Sequence, residues 1–178
     1  MIPRFERGRP MLLAGVRRHH SFATAAQTIP EQWRAFQIRA PLSGQLGDVT
    51  YGAVCASDPT AGTFEYLCGA EVDSFAALAP EMGRMRVPPQ RYAVFTHRGG
   101  VEALGTIWAA IWHEWLPRSG ERAANTPDFE RYDPARFDAR NGVGEIEIWF
   151  PVTERGEQEW PHGAPPLEGR DRRPPEGQ

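Results

Sequence analysis

One order of elements, strand-helix-strand-strand, occurs twice in this chain, and that repetition constrains the fold more than any single motif. In the first half an apolar run over residues 11–16 reads as a strand. A helix over 29–40 follows, because Ile29, Trp33, Phe36 and Ala40 recur at intervals of three and four residues and share one face. Thr28 and Glu31 have capping-box spacing, Pro30 suits a first helical turn, and Pro41 with Gly44 ends the helix. Strands over 49–56 and 63–68, joined by the turn-rich segment from Ser57 to Gly62, complete this half. The second half has a strand over 91–97 and a break at Gly99 and Gly100. A helix over 101–116 with an apolar stripe of Leu104, Ile107, Trp108, Ile111 and Trp115 comes next, then a short segment at 129–132 and a strand over 145–152. The order repeats without visible sequence identity. Such a pattern predicts an α+β domain of duplicated strand-helix-strand-strand units, an antiparallel sheet with helices on one face.

The last strand carries the most chemistry. Side chains alternate along a strand, so Glu145, Glu147 and Trp149 share one face and Ile146, Ile148 and Phe150 the other. An acid buried among aromatic residues is costly without a partner. Either that face is wet, as on an edge strand guarded by charge, or a cationic ligand supplies the missing charge.

Composition narrows the alternatives. A chain of 178 residues with a net charge of -3 is sized for one domain and lacks a phosphate-tracking basic surface, Arg17-Arg18-His19-His20 being too short. No apolar run approaches the roughly 20 residues of a membrane span, and residues 11–16 are too short for a signal-peptide core. The expected location is therefore cytoplasmic, away from membranes. Cys55 and Cys68 read as free thiols on neighbouring strands. His113-Glu114 lacks the second histidine of a zinc motif, and neither a nucleophile elbow nor a phosphate-cradling loop occurs, so no metal and no cofactor is expected. The domain is expected over residues 1–152. Residues 153–178, rich in Gly, Pro, Glu and Arg, are expected to be a largely disordered tail with Trp160 as its one large apolar anchor.

Seven segments, taken together, resemble a known family. They are Thr28 to Phe36, Thr50-Tyr51-Gly52, Phe64-Glu65-Tyr66, Tyr92 to Gly99, Trp115 to Gly120, Phe129-Glu130-Arg131-Tyr132 and Glu147 to Val152. In this order they resemble the GyrI-like (gyrase-inhibitory-protein-like) small-molecule-binding domain, which also forms the effector-binding domain of AraC-type and multidrug-sensing regulators. The resemblance implies two halves enclosing a central ligand cleft, in which an acid within an aromatic cavity meets cationic ligands. Glu147 is taken as the matching acid. Hydrolytic relatives acting on cyclopropane-bearing genotoxins imply a Glu/Tyr pair, which here would be Glu147 with Tyr51 or Tyr66. The chain shows no helix-turn-helix pattern, so direct DNA binding is not expected.

The candidate ligand-binding residues are accordingly Glu147, Trp149, Trp33, Tyr51, Tyr66, Phe36, Phe95 and Trp112. The leading expectation is a free-standing domain that captures lipophilic, cationic aromatic small molecules by charge matching and aromatic contact. The alternatives are a hydrolase of strained-ring electrophiles using the Glu/Tyr pair, and a gyrase-inhibitor-like protein that acts on a protein partner.

Overall fold

A computed structural model describes residues 1–154. The strands are β1 (Arg4–Gly8), β2 (Met11–Ser21), β3 (Gln45–Asp58), β4 (Thr63–Val72), β5 (Gly83–Val87), β6 (Gln90–Gly100), β7 (Glu121–Ala123), β8 (Asp128–Asp138) and β9 (Val143–Glu154). Helix α1 is Ala25–Gln37. The second helical segment opens with a 3-10 turn, Val101–Ala103, becomes α2 (Leu104–Ala110), widens into a π turn, Ile111–Trp115, and ends as α3 (Leu116–Ser119). The repeated order is present: β2-α1-β3-β4, then β6, the second helical segment, β8 and β9. All pairings are antiparallel, in the order β1-β6-β9-β8-β3-β4-β2-β5, with β7 on β9. The halves meet where β3 pairs with β8.

Connectivity forces the sheet to curl. β1 lies at one edge and β2 next to the other, yet only Arg9 and Pro10 separate them. Gly8 and Met11 are three Cα steps apart, at most about 11 Å, so the two edges must come together. The short link from β5 to β6 imposes the same constraint. On the concave face Leu13, Tyr51, Leu67, Met85, Val87, Tyr92, Val94 and Phe129 form a core cluster with no helical member. On the convex face α1 covers Ala14, Phe64, Tyr66, Cys68 and Val72, while the second helical segment covers Ala93, Phe95, Ile148, Phe150 and Val152.

Several expectations need correction. Helix α1 starts one turn early because Ala25 and Ala26 are good helix formers. The Thr28–Glu31 capping box is therefore absent, and Thr28 Oγ1 donates instead to the Thr24 carbonyl. Strand β9 runs from Val143 through Glu154, two residues longer at each end than expected, and pairs with β7; the rest of the expected tail and Trp160 lie outside the described residues. Cys55 and Cys68 do occupy neighbouring strands but belong to clusters on opposite faces. The π turn ends two residues before Pro117, which has no N–H to give to the helix.

Gly83, Gly15 and Gly69 form a row across β5, β2 and β4. A methyl group at Gly15 would overlap the Cys68 carbonyl and Gly69 Cα, so bare backbone lets the sheet coil at this point. We expect Gly15→Ala to cost about 1–3 kcal/mol through overpacking. The corresponding fall in thermal midpoint is roughly 3–10 °C, measurable by differential scanning calorimetry.

Candidate functional site

The junction of the two halves holds a buried carboxylate. Glu130 of β8 pairs with Gly52 of β3 on one side and Ile148 of β9 on the other, which places it on the convex face under the helices. It is 6% exposed. Three neutral donors hold it. The Tyr66 hydroxyl donates to Oε2, the Tyr132 hydroxyl donates to the same oxygen at 3.1 Å, and Trp108 Nε1 donates to Oε1 at 2.7 Å. Each comes from a different element: β4, β8 itself and α2.

Gly52 makes this possible. Tyr66 sits one strand beyond β3, so its ring must cross β3 to reach Glu130. A side chain at Gly52 would overlap the Tyr66 hydroxyl and Glu130 Oε2. The slot is held from behind by Gln32 of α1, whose Nε2 donates to the carbonyls of Tyr66 at 2.7 Å and Val16 at 2.8 Å. Its Oε1 then accepts from His20 Nε2 at 2.5 Å, while His20 Nδ1 lies 2.7 Å from Thr28 Oγ1. Buried Gln32 and His20 thereby pin α1 to β2 and β4 beside the site. Farther out, Trp33 meets Tyr132 edge-on at 5.3 Å and Tyr132 meets Phe137 at 4.9 Å.

Burial raises the Glu130 carboxyl above its usual range, and the hydrogen bonds from Tyr66, Trp108 and Tyr132 oppose that rise. Burial and the nearby carboxylate push both tyrosines well above the ordinary phenol value, so each is a neutral donor at physiological pH. A second acid, Asp128, lies two residues before Glu130. Burial first, then the neighbouring Glu130, raise it to about 7.

The sequence-predicted residues divide between the two faces. Trp33 and Tyr66 line the Glu130 site, with Phe36 buried behind them in the α1 cluster. Phe95 packs edge-on against Trp115 at 5.0 Å, and Trp112, 43% exposed, packs on Phe150 at 4.9 Å, both away from the carboxylate. Glu147, Trp149 and Tyr51 lie on the concave face. Glu147 is not the unpaired acid expected of it: Arg4 reaches Oε1 at 2.5 Å and Arg131 reaches Oε2 at 3.3 Å. Trp149 stacks on Phe129 and Tyr51 packs edge-on against Phe129, so both help fill the concave core. Glu145 is likewise paired, with Arg98 and Arg136.

Sequence reasoning did not single out Glu130 and Tyr132 as candidates and read Trp108 as core alone. The signal was present, since Phe129-Glu130-Arg131-Tyr132 places an acid and a tyrosine on one strand face. An open surface groove of about 660 Å³ lies elsewhere, walled by Pro10, Leu12, Leu46, Val72 and Val87; its buried acid, Glu71, is paired with Arg9.

With this geometry in hand, comparison with known proteins is decisive at one level. The model of the GyrI-like small molecule binding domain matches residues 1–153. The chain belongs to the GyrI-like family. This GyrI-like domain is 32% identical over 127 residues to the transcriptional regulator BrlR of Pseudomonas aeruginosa, a match spanning 70% of this chain and 46% of the regulator. The chain thus matches about half the length of that curated relative. Among solved structures, SAV2435 bound to tetraphenylphosphonium superposes with a TM-score of 0.69 at 21% identity, covering 86% of this chain and 94% of that one. EcmrR in its complex with DNA superposes with a TM-score of 0.59 at 14% identity, covering 85% of this chain and 57% of that one. These likenesses show the fold. Among the described residues no helix is long and apolar enough to cross a membrane.

Asp128 generates a pH prediction. Its carboxyl, near 3.8 when unfolded, rises to about 7 in the folded chain, so the native state holds more protons between those values and stability falls as pH rises through that window. Glu130 is its charged neighbour, with Tyr92 and Cys55 also within electrostatic reach. We expect Asp128→Asn to be more stable than the native sequence at pH 8, with the advantage shrinking toward pH 4. The gain should be a fraction of the roughly 4 kcal/mol that a three-unit shift represents, because Asp128 is only part-buried as a residue. Urea denaturation at both pH values measures it.

Proposed function

We propose that this domain captures lipophilic, cationic aromatic small molecules at Glu130, in the cleft between its two helical segments. The observation that carries this reading is that, among the described residues, every side chain that donates to the Glu130 carboxylate is a neutral donor. A buried carboxylate without a compensating cation favours a ligand that brings one, and it discriminates against neutral molecules of the same shape. Trp108, Trp33 and Tyr132 offer the flat surfaces that such a cation needs. Glu130 is buried and bonded to Trp108 of α2, so in this reading a ligand reaches the carboxylate by displacing that side chain. The tetraphenylphosphonium in the SAV2435 structure is a ligand of this class and a suitable first probe. Sequestration of such compounds, or their presentation to a protein partner, are roles consistent with the reading.

The test pairs tetraphenylphosphonium with neutral triphenylphosphine oxide, followed by tryptophan fluorescence. Glu130→Gln should weaken binding of the cation by about 1.5–3 kcal/mol, the worth of a charge-assisted contact, and leave the neutral compound nearly unchanged. Glu147→Gln should do neither. Equal losses for both ligands, or a selective loss at Glu147 alone, would reject the Glu130 reading.

A second reading has its own observation. Two tyrosine hydroxyls rest on the Glu130 carboxylate, which supports a Glu/Tyr pair of Glu130 with Tyr66 or Tyr132 for hydrolysis of a strained-ring electrophile. Glu130 would activate water while a tyrosine hydrogen-bonds the leaving group. Incubating the protein with excess cyclopropane electrophile and following the water adduct by mass spectrometry separates the two. We expect no more than stoichiometric product; multiple turnovers lost in Glu130→Gln and in one Tyr→Phe variant would establish the hydrolase.

A further inference from the structure

Resting on the Glu130 reading, we propose that the cleft is selective for aromatic dications, with Asp128 holding the second positive centre. Asp128 and Glu130 pair with Val54 and Gly52 in one uninterrupted ladder between β8 and β3, so both side chains project to the helix-covered face. Two residues along a strand advance the chain by about 7 Å, which sets the spacing of the two acids.

Their surroundings differ in a way that points to a ligand. Glu130 accepts three hydrogen bonds from the protein, whereas Oδ1 of Asp128 is cut off from solvent and has no hydrogen-bond partner among the described residues. The hydroxyl of Thr126, two residues earlier, is also buried and unpartnered. Buried polar atoms are nearly always bonded, and leaving one orphaned costs free energy. The nearby arginines of β8 are committed elsewhere: Arg131 to Glu147 and Asp133, and Arg136 to Glu145. A ligand with a single charge at Glu130 leaves Asp128 as it is. A flat ligand with a second cationic centre about one strand repeat away, roughly 7 Å, satisfies both acids while its rings lie against Trp108 and Tyr132.

Two compounds of nearly identical shape test the idea: N-methyl-4-phenylpyridinium, with one charge, and N,N′-dimethyl-4,4′-bipyridinium, with two charges at about the required spacing. Their affinities for the full chain are measured by isothermal titration calorimetry, with circular dichroism confirming that each variant is folded. The native protein should bind the dication about tenfold or more tighter than the monocation, as expected for one added charge-assisted contact. Asp128→Asn and Asp128→Ser should both abolish that preference while leaving monocation affinity within about threefold, the behaviour of independent contacts. Equal binding of the two compounds by the native protein, or a parallel loss of both in the Asp128 variants, overturns the dication proposal alone. If neither compound binds, or if Glu130→Gln leaves monocation binding intact, the Glu130 reading falls and takes this proposal with it.

Discussion

The hydrogen bond from the Tyr66 hydroxyl to Glu130, laid across the bare backbone of Gly52, is the interaction on which the rest of this molecule depends. It crosses the seam between the halves, joining β4 of the first to β8 of the second. A carboxylate at this depth is costly by itself, and the neutral donors from Tyr66, Tyr132 and Trp108 offset that cost without cancelling the charge. Because each donor belongs to a different element, the site exists only when both halves and the second helical segment are assembled. Fold and site are therefore one cooperative object.

The two faces of the sheet manage acids in opposite ways. On the concave face Glu147 and Glu145 are met by arginines, and Glu71 by Arg9, so these carboxylates are structural and electrically settled. On the convex face, among the described residues, Glu130 has hydrogen bonds but no counter-charge, and Asp128 Oδ1 has no donor. An arginine partner would satisfy either acid and remove its reason to attract a cation. The lack of a charge partner for Glu130 among the described residues, together with its burial, is the physical basis of the proposed cation site, since charges interact more strongly when buried than at a wet surface.

The chain belongs to the GyrI-like small molecule binding family, and its two halves meet at the junction that holds Glu130. The glycine row Gly83-Gly15-Gly69 serves the same end indirectly. By letting the sheet coil, it brings the edges together, fills the concave side with side chains and leaves the convex side to the helices.

Much of the architecture is legible in the sequence. Periodicities of two and three to four residues locate both helices, most of the long strands and the repeated order, because those patterns are local consequences of backbone geometry, whereas β8, eleven residues long, shows only as a short segment at 129–132. The same alternation correctly separates Glu147 and Trp149 from Ile148 and Phe150. What alternation cannot do is label the faces. Whether the Glu147 face or the Ile148 face meets the helices depends on how the sheet curls and on which distant arginine arrives, and Arg4 comes from a strand 143 residues away. Short strands such as β1, β5 and β7 carry too few residues to show a period, and they exist only as partners of longer ones. The sequence by itself determined that this chain would build a repeated α+β sheet and present an acid beside aromatic rings. Only the tertiary structure decided that Glu130 is buried among neutral donors while Glu147 is paired with arginines, because burial and charge pairing are properties of elements brought together across the sheet.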